Sequence, residues 1–118
     1  MTLPGKWTRI TEAENIPEHE GRSVRAGSRE LAIFNLGDRF ATIDNACPHQ
    51  GGPLCDGIVA GTAVVCPLHG WRFDLDSGLA VRASLPACIT VYPTRVENGV
   101  ILVNIGAGRR EAPEDAAA

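Results

Sequence analysis

Two short segments concentrate the reactive side chains of this chain. Cys47-Pro48-His49-Gln50-Gly51-Gly52 and Cys66-Pro67-Leu68-His69-Gly70-Trp71 each join one thiol to one imidazole, at Cys-x-His and Cys-x-x-His spacing. Two such loops can offer Cys47, His49, Cys66 and His69 as four ligands to a single centre. A [2Fe–2S] core with two ferric ions and two sulfides carries two positive charges. Two thiolates bring the sum to zero, and neutral imidazoles leave it there. Four thiolates would make a dianion, which resists an added electron. Histidine ligation therefore raises the reduction potential, to roughly −150 to +300 mV against about −400 mV for the all-cysteine plant type. Both cysteines are expected on one iron and both histidines on the other. A structural zinc site uses the same residue types. It ordinarily places cysteine near cysteine and histidine near histidine, whereas each loop here mixes the two. Zinc remains the reading of a different class. The sequence shows no nucleophile–base pair and no nucleotide-binding glycine loop. The expected role is that of a one-electron carrier with no catalytic residues of its own.

Positioning such loops needs strand ends that face each other. The chain has 118 residues, 44% hydrophobic and 21% charged, which fits one globular domain. Its thirteen glycines and eight prolines suit a turn-rich β protein. Candidate strands are 6–10, 22–26, 30–36, 39–44, 58–60, 62–66, 71–74, 79–82, 89–97 and 100–105. Residues 11–14 read as a capping box over one helical turn stopped by Pro17. Gly37-Asp38 turns a hairpin, and Asn98-Gly99 is a strong type I′ signal. Each of the two loops follows a strand, and almost no helical periodicity appears, so the expected class is all-β. The tail 106–118 reads as disordered. The net charge of −3 excludes the basic footprint of a nucleic-acid binder. No apolar run is long enough for a membrane span, and no signal-peptide pattern opens the chain, so the cytoplasm is the expected location.

With these residues assembled, the chain resembles the Rieske [2Fe–2S] proteins from about Lys6 to Ile105. Trp7, Leu31-Ala32-Ile33-Phe34, Phe40-Ala41-Thr42-Ile43-Asp44-Asn45 and Tyr92-Pro93-Thr94-Arg95-Val96-Glu97-Asn98-Gly99 extend the likeness beyond the loops. The resemblance implies one cluster per chain and a domain 1–105 of three antiparallel sheets. It also implies a cluster-binding subdomain at about 44–74. Ser84-Leu85-Pro86-Ala87 is similar to a third, proline-bearing loop over the cluster. The high-potential branch of this family joins its loops by a disulfide and places hydroxyls near the sulfurs. Here Gly52 and Leu68 stand where the cysteines would be, and Trp71 and Phe73 where the hydroxyls would be. Fewer hydrogen bonds to sulfur imply a lower potential. The chain is thus similar to the ferredoxin-type group. The run 66–78, with Trp71-Arg72-Phe73-Asp74-Leu75 and Ser77-Gly78, is most similar to small subunits of assimilatory NAD(P)H-dependent nitrite reductases. That likeness implies a large siroheme and flavin subunit as partner. The alternative is the freestanding ferredoxin of a multicomponent aromatic-ring dioxygenase, partnered by a reductase and a terminal oxygenase.

Gly51, Gly52 and Gly70 are expected to let backbone N–H groups approach the cluster sulfurs. Cys55 and Cys88 read as small buried hydrophobes and His19 as a surface residue. Trp71 and Phe73 read as the inward face of a strand. Arg22, Arg25 and Arg29 read as a solvated face.

Overall fold

The computed structural model describes residues 7–48, 51–68, 70–82 and 87–110. His49, Gln50, His69 and most of the proline-bearing loop lie outside these. The run Leu31-Ala32-Ile33-Phe34 organises the fold, because all four residues are wholly buried. Side chains of a strand alternate between faces, so this run must be covered on both sides. Ala32 and Phe34 enter one apolar cluster, and Leu31 and Ile33 enter another. A continuous apolar strand of this kind marks the middle layer of a stack.

Three antiparallel sheets make that stack. The strands are β1 (Trp7–Glu12), β2 (Gly21–Ala26), β3 (Arg29–Asn35), β4 (Phe40–Asp44), β5 (Ile58–Ala60) and β6 (Ala63–Val65). They continue as β7 (Arg72–Asp74), β8 (Ala80–Arg82), β9 (Val91–Tyr92), β10 (Thr94–Glu97) and β11 (Val100–Asn104). The middle sheet has the order β2-β3-β4-β9. The first outer sheet is β1-β11-β10 and the second is β5-β6-β7-β8. Ile101 and Val103 from the first outer sheet pack with Leu31, Ile33 and Tyr92. Val64 and Phe73 from the second pack with Ala32, Phe34 and Ile43, and that cluster also contains Cys47 and Cys66. Asp74 ties off the β7–β8 turn. Its carboxylate accepts N–H bonds from Ser77 at 2.8 Å and Asp76 at 3.2 Å. Although partial burial pushes its pKa up, these bonds and those from the Ser77 and Thr62 side chains hold it below the usual aspartate value.

Four sequence expectations change. The turn after β1 is a 3₁₀ helix at Ala13–Asn15, and Thr11 stays in the strand. Glu12 occupies the cap position without a side-chain cap bond, so the capping box does not form. Thr11 Oγ1 instead accepts a bond from Asn15 Nδ2 at 2.9 Å. The strand expected over 89–97 is broken at Pro93. Proline has no N–H for a ladder, and β9 pairs with β4 while β10 pairs with β11 in another sheet. Residues 106–110, expected in a disordered tail, return to the middle sheet. Val91 and Arg109 exchange backbone bonds of 2.8 and 2.9 Å, and the Gly108 Cα lies against the Tyr92 ring. The subdomain expected to end at about 74 belongs to a sheet that continues to β8. Among the described residues no helix is long and apolar enough to cross a membrane.

Candidate metal centre

The two cysteine loops are built on one hydrogen-bonded frame. Cys47 N–H donates to Gly52 O at 2.9 Å, and Gly51 N–H returns to Cys47 O at 2.7 Å. In the second loop Cys66 N–H donates to Trp71 O at 2.7 Å, and Gly70 N–H returns to Cys66 O at 3.0 Å. The fifth residue of each loop is left-handed, at φ 72° for Gly51 and 75° for Gly70, a conformation that costs glycine little. The single bridge Ala46–Pro53 closes the stem of the first loop, and the β6–β7 ladder closes the second. The histidine is third in one frame and fourth in the other. The two ligand spacings are thus variants of a single loop, an equivalence that motif spacing alone does not reveal.

Cys47 and Cys66 are each only 2% exposed, and no disulfide joins any of the four cysteines. Both thiols sit at the edge of the apolar cluster shared by Leu54, Trp71, Phe73 and Ile89. Gly52 of the first loop faces the second. A Cβ there would stand 2.8 Å from Leu68 Cδ1 and 3.2 Å from Cys66 Sγ, so a side chain fits beside that sulfur only if Leu68 moves. The amides of Gly51 and Gly70 are engaged by the cysteine carbonyls.

Asn45 is the residue that sequence reasoning missed. It is 5% exposed, and its Oδ1 accepts the Cys55 N–H at 2.8 Å, while its backbone carbonyl accepts the Leu54 N–H at 2.8 Å. The short 3₁₀ helix Leu54–Asp56 that follows the first loop is therefore pinned to the end of β4. An asparagine at a strand end just before a cysteine loop was the available signal. Asn45→Ala leaves the Cys55 amide without its acceptor. It is expected to cost about 1–3 kcal/mol, read as a lower urea midpoint together with faster hydrogen exchange at that amide.

Other singled-out residues settle as follows. Burial first, and then the Asp56 charge, push the Cys55 thiol up, which disfavours a reactive thiolate. Cys88 is half-buried and His19 exposed. Arg22 pairs with Glu20 at 3.0 Å on the surface. Arg29 Nη1 donates to Tyr92 Oη and Tyr92 Oη to Asp44 Oδ1, each at 2.7 Å. Burial, then the Asp44 hydrogen bond and charge, raise the tyrosine pKa. Arg29, Asp44, Cys47 and Pro48 line a groove of about 410 Å³ beside the first loop. Trp71 and Phe73 are buried with Arg72 exposed between them, as expected for a one-sided strand. Ala87 packs against the core, while Ser84, Leu85 and Pro86 lie outside the described residues.

Two buried thiols on twin loops suit soft thiolate ligation of iron. Fold and donor chemistry together define a small all-β iron–sulfur electron-transfer protein. A family model, the Rieske [2Fe–2S] domain, matches residues 6–93. The chain belongs to that family, its cofactor is a [2Fe–2S] cluster, and its activity is electron transfer. It is 30% identical over 100 residues to the ferredoxin component of the naphthalene 1,2-dioxygenase system of Pseudomonas aeruginosa, covering 85% of this chain and 96% of that one. Among solved structures, a ferredoxin of Sphingomonas yanoikuyae B1 is similar at 28% identity and a TM-score of 0.77, over 84% of this chain and 98% of that one. A putative NADH-dependent nitrite reductase small subunit from Mycobacterium tuberculosis is similar at 27% identity and a TM-score of 0.76. It covers 88% of this chain and 95% of that one.

Proposed function

We propose that this protein is the ferredoxin component of a multicomponent aromatic-ring dioxygenase, acting in the cytoplasm between a reductase and a terminal oxygenase. Cys47 and Cys66 hold one iron of the cluster, and His49 and His69 hold the other. When bound, the cluster supplies a one-electron couple. The protein's own part is to keep the two thiols dry, to tie the segment after the first loop to the end of β4 through Asn45, and to close the stem of the second loop with the β6–β7 ladder. The observation that carries the reading is the near full-length likeness to a dioxygenase ferredoxin component.

The nitrite reductase reading is supported by structural likeness, as to the neighbour at 27% identity. The run that first suggested it loses its weight. Trp71 and Phe73 are 8% and 0% exposed and serve the core, so they report packing rather than a partner. The deciding experiment reduces the purified protein and mixes it with a terminal ring-hydroxylating oxygenase or with a siroheme nitrite reductase large subunit. Rapid reoxidation by the oxygenase alone is expected. Reoxidation only by the siroheme subunit overturns the reading. A colourless preparation containing zinc and no labile sulfide would overturn the ligand assignment as well.

A further inference from the structure

Leu68 does something its exposure does not announce. It lies in the second loop, 49% exposed, two residues after Cys66. A single exposed aliphatic side chain is ordinary on a protein surface; what distinguishes this one is its neighbour. Beneath it is Gly52 of the opposite loop. A Cβ built on Gly52 would meet Leu68 Cδ1 at 2.8 Å, Leu68 Cγ at 2.9 Å and Cys66 Sγ at 3.2 Å. The isobutyl group and the cysteine sulfur therefore crowd the same face of the Gly52 Cα. Gly52 is itself buried, and its carbonyl accepts the Cys47 N–H that closes the first loop. The contact bridges the two cysteine loops without a covalent bond.

We propose that Leu68 is a positioning residue: seated on Gly52, it clasps the two cysteine loops together and screens Cys66 Sγ from water. This inference rests on the assignment of Cys66 as a cluster ligand. The chemistry of the clasp follows from charge. With two thiolates and two neutral imidazoles, the oxidised centre is neutral and the reduced one carries a negative charge. Apolar cover disfavours the charged form, so the clasp holds the potential down. It also slows loss of iron by closing the approach to the sulfur. A side chain at position 52 would push Leu68 off this seat.

The test compares the wild-type holoprotein with Leu68→Ala, Leu68→Val and Leu68→Met. The readouts are the midpoint potential and the rate at which a chelator removes the chromophore. At the wild-type midpoint, Leu68→Ala is expected to stand at roughly three parts reduced to one oxidised, and to lose iron about tenfold faster. Leu68→Val moves both readouts the same way by less, and remains decisive should Leu68→Ala fail to take up the cluster. Leu68→Met, which refills the space, restores both. An unchanged potential in the alanine or valine variant overturns the clasp, even where chelation quickens, because simple loosening of the loop would do that. Wild-type protein without iron and labile sulfide would instead overturn the ligand assignment itself.

Discussion

Exchanging His69 for cysteine is expected to lower the midpoint potential by on the order of 100 mV or more. Under the proposed assignment His69 is one of two neutral ligands, and cysteine adds a full negative charge at the iron that accepts the electron. The electron must then enter an anion instead of a neutral centre. The loop frame favours the experiment. Residues 66–71 are tied at both ends by the bonds between Cys66 N and Trp71 O and between Gly70 N and Cys66 O, neither of which involves the histidine side chain. The substitution thus alters donor charge while the frame persists. Potentiometry and the EPR spectrum of the reduced protein provide the readouts. A variant with the parent's potential and spectrum would show that His69 is no ligand. His49→Cys is expected to shift the potential in the same direction, since its loop has the same frame.

How much could be read beforehand depended on whether the controlling interactions were local. The type I′ turn was legible because Asn98 and Gly99 supply the two positive φ values, 52° and 78°, that such a turn demands. The buried middle strand was legible from four consecutive apolar residues. The four expected ligands stood out because few side chains combine soft sulfur and imidazole at such spacing. What was not legible lies in pairing across long separations. Pro93 announces a break in a ladder, but not that Val91–Tyr92 and Thr94–Glu97 join different sheets. Gly106–Arg110 is polar and glycine-bearing, and only the backbone exchange with Val91 and the flat Tyr92 ring give it a place. Asn45 carries no motif. Its value comes from an amide ten residues away that needs an acceptor. The choice of partner was poorly legible for a related reason, since Trp71 and Phe73, part of the run that suggested it, are buried in the core.

The largest stability effect is expected from Phe73→Ala, at about 3–5 kcal/mol. Phe73 is wholly buried, and its ring lies 6.3 Å from that of Trp71 at an interplanar angle of 42°. The chain contains three phenylalanines in 118 residues, so few other large side chains can close over the vacated space. Small domains have roughly 5–15 kcal/mol in total, which makes this one ring a large share. The expected observation is a much lower urea midpoint for the cluster-free protein at an unchanged m value, the sign of lost stability with the same surface exposed on unfolding. Arg72, next in sequence but pointing outward, gives the contrast: Arg72→Ala should stay within about 0.5 kcal/mol of the parent. The cluster should feel the cavity as well. Phe73 pairs across the ladder with Val64, and that ladder is the stem of the Cys66 loop. Weakening the stem lets the loop open, so the chromophore of the loaded variant should bleach in chelator faster than that of Phe73→Leu, which refills most of the volume. A Phe73→Ala variant as stable as the parent would mean that the cluster-bearing sheet does not rest on the middle one, and the packing that keeps both thiols dry would need another source.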